Sequence, residues 1–261
     1  MYNLNMDLSV LKITIPSTIP NLSLLIINNT DTPKLCVIET HGEIKGNKED
    51  TASYSKDLQE FCVAHQIIYI TYDPTNNGTY EDQPLDQALF SNRVQNLTDV
   101  TQYAKDKYKC PIVLIGSSLG GLVSINTASD NPENIAGIII NCGVIYPEET
   151  LKIIAGNDDF NNWEKNGFAN VIDIKLPFGF LTDIVSLKTD QKLKSLTLPI
   201  LWFHGEKDPL ASIEHIRKAS SENRNINLIE IENGEHRFGP QMEEGQWESE
   251  VESFIMSLLS E

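Results

Sequence analysis

Ile112-Val113-Leu114-Ile115-Gly116-Ser117-Ser118-Leu119-Gly120-Gly121-Leu122-Val123 joins a wholly apolar run to a segment that reads as a helix, through a turn of the form G-x-S-x-G. An apolar run of this length fits a strand buried on both faces, and the turn fits a sharp strand-to-helix elbow with Ser118 at its tip. Such a turn holds the serine in a strained backbone conformation and leaves little room beside it, which gives Gly116 and Gly120 a steric role. The five-residue pattern alone would arise by chance in about one chain in ten of this size, so its setting carries the weight.

Two further stretches supply that setting. His204-Gly205-Glu206-Lys207-Asp208 follows the apolar run Ile200-Leu201-Trp202-Phe203, and Gly234-Glu235-His236 follows Leu228-Ile229-Glu230-Ile231. Ser118, Asp208 and His236 therefore occur in the order Ser, Asp, His, each just beyond an expected strand. A serine hydroxyl is a poor nucleophile at neutral pH; it needs a base within hydrogen-bond reach, and the base needs an orienting carboxylate. The expected roles are Ser118 as nucleophile, His236 as base and Asp208 as orienter. Ser117 competes with Ser118 but occupies an x position, and Glu206 is the alternative to Asp208. His65 reads as a helix-end residue and His215 as a surface residue. His41 and His204 are expected to hold loops by hydrogen bonds, and Asp183 and Asp190 to be solvated.

Around these motifs the chain alternates. Leu8 to Ile15 and Leu22 to Ile27 read as an antiparallel pair. Further short apolar runs occupy Leu35 to Ile38, Ile67 to Ile70, Ile112 to Ile115, Ile135 to Ile140, Pro199 to Phe203 and Asn227 to Ile231. Expected helices span Thr51 to His65, Ser91 to Lys107, Leu119 to Ser129, Ser212 to Ser220 and Gln246 to Leu259. Strands that are apolar at nearly every position suit a mostly parallel sheet covered by helices on both faces, an α/β architecture. Residues 146–198 interrupt the alternation, and the expectation is one domain over 1–261 with this stretch as a lid across the C-terminal edge of the sheet. Its aromatic residues Trp163, Phe178 and Phe180 are the expected substrate contacts.

The 261 residues carry 20 Lys and Arg against 37 Asp and Glu, a net charge of −17, and no segment concentrates basic residues. A nucleic-acid partner is not expected. No run approaches the roughly 18 apolar residues of a membrane span, and Met1 to Asp7 lacks the basic and apolar regions of a secretory signal, so a cytoplasmic location away from membranes is expected. Cys36, Cys62, Cys110 and Cys142 form no C-x-x-C pair and read as reduced core thiols. There is no H-E-x-x-H, no G-x-G-x-x-G after a strand and no Walker lysine to suggest a metal or nucleotide. Oligomeric state has no sequence signal.

The ordered elbow, Asp208 and His236, spread over most of the chain from His41-Gly42 onward, resemble the α/β-hydrolase superfamily. Within it the chain resembles compact carboxylesterases of the cinnamoyl and feruloyl esterase type. Phe160 to Phe168 also looks like the inserted lid of those enzymes. The resemblance implies an eight-stranded, mostly parallel sheet with one early antiparallel strand, no cofactor, and hydrolysis of a small-molecule ester through an acyl-enzyme. It leaves the substrate open, because thioesterases and peptidases share the fold. A hydrolase-fold binding protein with little turnover is the reading from another class.

By the same resemblance the oxyanion donors are the backbone N–H groups of Leu119 and Glu43. Relatives usually have an apolar residue at the second position. A carboxylate there must face solvent while its backbone donates, or Ile44 is the donor instead. The stretch Asp73-Pro74-Thr75-Asn76-Asn77-Gly78 also departs from the family's tighter, glycine-richer turn, and Tyr72, Asp73 and Tyr80 are expected to be loop anchors.

Overall fold

The structure, a computed structural model, describes residues 10–17, 22–42, 46–74 and 89–260. Its main sheet contains β1 (Val10–Ile15), β2 (Leu22–Ile27), β3 (Leu35–Thr40), β4 (Ile67–Asp73), β5 (Ile112–Ser117), β6 (Ile135–Asn141), β9 (Ile200–Gly205) and β10 (Ile226–Ile231). They lie in the order β1-β2-β4-β3-β5-β6-β9-β10. β2 runs antiparallel to both neighbours, β1 and β4, and the remaining pairs are parallel. A mostly parallel eight-stranded sheet with one early antiparallel strand is the expected architecture.

The apolar runs are explained by two cores that the central strands feed on alternate sides. Cys36, Ile38, Ile112, Leu114, Ile138, Ile140 and Trp202 point into one, together with residues of α3 (Ser91–Tyr108) and α4 (Leu119–Asp130). Leu35, Val37, Val113, Ile115, Ile139, Leu201 and Phe203 point into the other, against α2 (Lys56–Ala64) and α11 (Gln246–Leu258). With both faces dry, alternation between apolar and polar residues disappears from the sequence. α3 buries Val94, Leu97, Val100, Thr101 and Ala104, which recur at helical spacing. α10 (Ile213–Glu222) packs against β10.

One expected helix is divided. The stretch from Thr51 to His65 falls within α1 (Lys48–Tyr54) and α2, separated at Ser55, whose backbone leaves helical geometry at φ −105° and ψ 30°. The Ser55 hydroxyl turns inward and donates to the buried Glu39 carboxylate at 2.8 Å, which also accepts from Tyr69 at 2.5 Å. Burial pushes the Glu39 carboxyl up, and these two hydroxyls pull it back.

Between β6 and β9 lies an insert made of α5 (Pro147–Ala155), α6 (Asn157–Asn161), α7 (Trp163–Asn166), the antiparallel hairpin β7 (Phe168–Val171) and β8 (Ile174–Pro177), α8 (Phe178–Ser186) and α9 (Thr189–Ser195). It is tied to both helices, α3 and α4, that cover one face of the parent sheet. Asn126 of α4 donates to Thr189 at 2.8 Å, and the Asp183 carboxylate accepts from the Ser91 amide at 2.6 Å. Asp183 is therefore a cap for the start of α3 rather than a solvated charge, because the first amides of a helix need acceptors from outside it. All four cysteines are free and buried, and burial pushes the Cys142 thiol up to about 12. Among the described residues no helix is long and apolar enough to cross a membrane.

The glycines at the elbow are fixed by close approach. A Cβ on Gly116 would lie 2.3 Å from the Gly120 carbonyl oxygen, and one on Gly120 would lie 2.4 Å from that of Thr40. Gly116→Ala is expected to force β5 and α4 apart and lower Tm by about 5 °C or more in thermal denaturation, whereas an unchanged Tm would show that the elbow has slack.

Candidate active site

Ser118 sits between β5 and α4 with φ 51° and ψ −118°, a conformation that costs a non-glycine residue about 1–3 kcal/mol. Backbone bonds hold it there: its amide donates to the Asn141 carbonyl at 2.8 Å, and its carbonyl accepts from Gly121 at 3.0 Å. The loop after β3 presses on the elbow from above. A Cβ on Gly42 would lie 2.0 Å from the Ser117 carbonyl oxygen and 2.7 Å from the Ser118 Cβ.

The three residues singled out from separate strand ends meet at this point. His236 Nε2 is 2.9 Å from Ser118 Oγ, and His236 Nδ1 is 2.8 Å from Asp208 Oδ2. A carboxylate only accepts, so Nδ1 carries the proton and Nε2 is left to accept from the serine hydroxyl. Asp208 Oδ1 accepts from the amides of Leu210 at 2.8 Å and Ala211 at 3.0 Å. A cavity of about 410 Å³ opens over Ser118 and His236. Its far walls are aliphatic, built by Leu151 and Ile154 of α5, Ile172 and Ile174 of the hairpin, and Leu210. A second cavity of about 480 Å³ adjoins it through Gly42, Ser117, Cys142, His236 and Arg237, and runs toward Asp50 and Trp247.

No family model matches the chain. Its sequence is 27% identical to rat (Rattus norvegicus) monoglyceride lipase over 212 residues, 69% of this chain and 67% of that protein. It is 22% identical to mouse (Mus musculus) mitochondrial palmitoyl-protein thioesterase ABHD10 over 194 residues, 69% of this chain and 62% of that protein. Its fold superposes on Est1E from Butyrivibrio proteoclasticus in its ferulic acid-bound form with a TM-score of 0.77 at 20% identity, covering 95% of this chain and 100% of that one. The chain has the α/β-hydrolase fold.

The fold surrounds Asp208 with partners that a single sequence does not reveal. Burial alone would push the Asp208 carboxyl up; the hydrogen bond and charge of His236, with the Ala211 and Leu210 amides, hold it below its ordinary value. Behind it His204 is fully buried. The Trp202 indole donates to His204 Nδ1 at 3.2 Å, so Nε2 bears the proton, donates to the Ala211 carbonyl at 2.8 Å and lies 3.4 Å from Asp208 Oδ2. Burial holds His204 below its ordinary pKa, and the Ala211 bond and Asp208 charge only partly oppose that.

The other candidates lie elsewhere. Ser117 Oγ takes a 3.4 Å contact from Asn141 rather than from His236. Glu206 accepts from the Asn233 amide at 3.3 Å and faces Arg217 at the surface. His65 contacts the Phe61 carbonyl at 3.0 Å, and His215 lies against Tyr146 and 3.6 Å from Glu149. Tyr72 and Asp73 anchor loops, through Thr40 at 2.9 Å and the Lys48 amide at 2.8 Å. Leu119 begins α4, where its amide has no acceptor within the helix. Glu43 and Ile44, the two candidates for the second oxyanion donor, lie outside the described residues, as does Tyr80.

The aromatic residues expected to touch substrate require a correction. Trp163 and Phe180 are fully buried in the packing of the insert, Trp163 donating to the Leu176 carbonyl at 3.1 Å and Phe180 meeting Phe90 edge-on at 5.7 Å. Phe178 packs on the same core, and none of the three belongs to the described lining of the cavity over Ser118. An insert this small uses its largest side chains to hold itself together, leaving aliphatic residues to face the cavity.

Because the unfolded chain protonates His204 more readily than the folded one, stability should fall as pH drops below about 6.5. The Asp208 contribution should fail only at lower pH, as its depressed folded pKa is approached. Thermal denaturation from pH 8 to 4.5 is expected to show Tm declining below about pH 6.5, with a shallower decline in His204→Gln; an unaltered slope would assign the effect to other groups.

Proposed function

We propose that the chain hydrolyses carboxylic esters of apolar acyl groups of modest size through an acyl-enzyme on Ser118. The observation that carries this reading is the continuous hydrogen-bond relay from Ser118 through His236 to Asp208, opening on an aliphatic cavity. His236 Nε2 takes the Ser118 proton as Oγ attacks the ester carbon, while Asp208 stabilises the imidazolium that forms. The oxyanion accepts from the Leu119 amide and from a second amide in the 43–44 loop. The imidazolium then protonates the departing alcohol. Water, deprotonated by the same histidine, attacks the acyl carbon, releases the acid and returns the proton to Ser118.

In this reading residues 146–198 act as a lid whose aliphatic surface receives the acyl group, and the adjoining cavity gives the alcohol a route out. The neighbours support an ester substrate: one is a monoglyceride lipase, and Est1E is solved with ferulic acid bound. A thioester substrate is the second reading, favoured by the palmitoyl-protein thioesterase among the relatives. Both use the same relay and differ only in the leaving group.

Ser118→Ala is expected to abolish labelling by a fluorophosphonate probe and turnover of p-nitrophenyl butyrate. Asp208→Asn should lower kcat by about 10⁴, the size of the loss when a serine protease triad loses its carboxylate. Retained turnover in either variant would contradict the assignment, and faster cleavage of butyryl thioesters than of matched oxygen esters would favour the second reading.

A further inference from the structure

The tip of the β7–β8 hairpin is built from the wrong residue for its shape. Val171 pairs with Ile174, leaving Ile172 and Asp173 as a two-residue loop with φ of 48° and 59°. Positive φ at both central positions is the type I′ requirement that Asn-Gly and Asp-Gly sequences satisfy. A β-branched side chain strains this conformation, because its Cβ substituents crowd the backbone. Folding does little to offset the strain: Ile172 is 60% exposed, whereas its strand neighbours Val171 and Ile174 are buried. A polar residue or glycine would close the same turn at lower cost.

What the isoleucine does have is position. Ile172 lines the cavity that holds Ser118 and His236, together with Ile154 and Leu210. Strain without a folding benefit, at a residue facing a reactive centre, marks a position kept for what it contacts in a complex. We propose that Ile172 is a specificity-determining residue whose side chain packs against the alkyl chain of a medium-length acyl group, extending the aliphatic lining of the cavity. The acyl part of this inference rests on the reading of Ser118 as the acyl-bearing residue.

Ile172→Asn tests it, since asparagine accepts positive φ and removes the apolar branch. Two changes of opposite sense are expected. Tm should rise by about 2–4 °C as the strain is relieved. kcat/KM should fall about tenfold on p-nitrophenyl octanoate while changing less than about twofold on p-nitrophenyl acetate, which has no alkyl chain to pack against an isoleucine. Calorimetric titration of octanoate into Ser118→Ala, with and without Ile172→Asn, reads the same contact without turnover and should show binding weakened about tenfold. A fall in Tm, equal effects on the two esters, or unchanged octanoate binding would overturn the proposal. If the wild-type chain cleaves neither ester and takes no fluorophosphonate, the hydrolase reading fails, and the octanoate titration still decides whether Ile172 forms an apolar binding wall.

Discussion

The left-handed backbone at Ser118 is the constraint on which the rest of the structure depends. The conformation is unfavourable for any residue but glycine, and it persists because β5 and α4 are held so closely that the chain has no other way to pass between them. Gly116 and Gly120 permit that approach from within the turn, and Gly42 permits it from the loop above. Helix α4 is anchored in turn by β5, by α3 and by the end of the insert. The position of the half-buried serine thus results from burial elsewhere: two dry cores, one on each side of the sheet, fix the strand and helix that together force the turn.

Electrostatics completes what the backbone begins. Asp208 is a buried carboxylate, and such a group remains ionised only where donors surround it. Two amides of its own loop and the His236 imidazole meet that requirement. Behind the carboxylate the Trp202 indole, which can only donate, fixes the neutral tautomer of His204, whose Nε2–H donates to the Ala211 carbonyl beside Asp208 without adding a charge. A neutral neighbour leaves Asp208 free to stabilise positive charge on His236. In the proposed reaction that charge appears when the serine proton is taken up.

Much of this was legible in the sequence, for identifiable reasons. Strands buried on both faces become unbroken apolar runs, so β3, β5, β6 and β9 could be located and their parallel arrangement expected. The elbow is a local motif with strict steric demands, and Asp208 and His236 each follow a strand closely. Legibility failed where contacts between distant residues decide. Ser55 breaks a helix to reach Glu39, and nothing near Ser55 announces it. Large aromatics in an insert suggest a binding surface, but Trp163 and Phe180 are buried in the core that the insert shares with one face of the sheet. The cavity wall instead uses Leu151, Ile154, Ile172 and Ile174. The signal for it is Ile172-Asp173 standing between two short alternating stretches, where a hairpin would ordinarily carry Asn-Gly.

The central claim is that Ser118 carries the acyl group between two half-reactions. Acid-quenched mass spectrometry of the wild-type chain during turnover of a p-nitrophenyl ester measures this directly. The account predicts an added acyl mass on the peptide containing Ser118, appearing in a burst with p-nitrophenol and absent in Ser118→Ala. Steady hydrolysis with no such adduct under rapid quench, or an acyl group on a different residue, would contradict it.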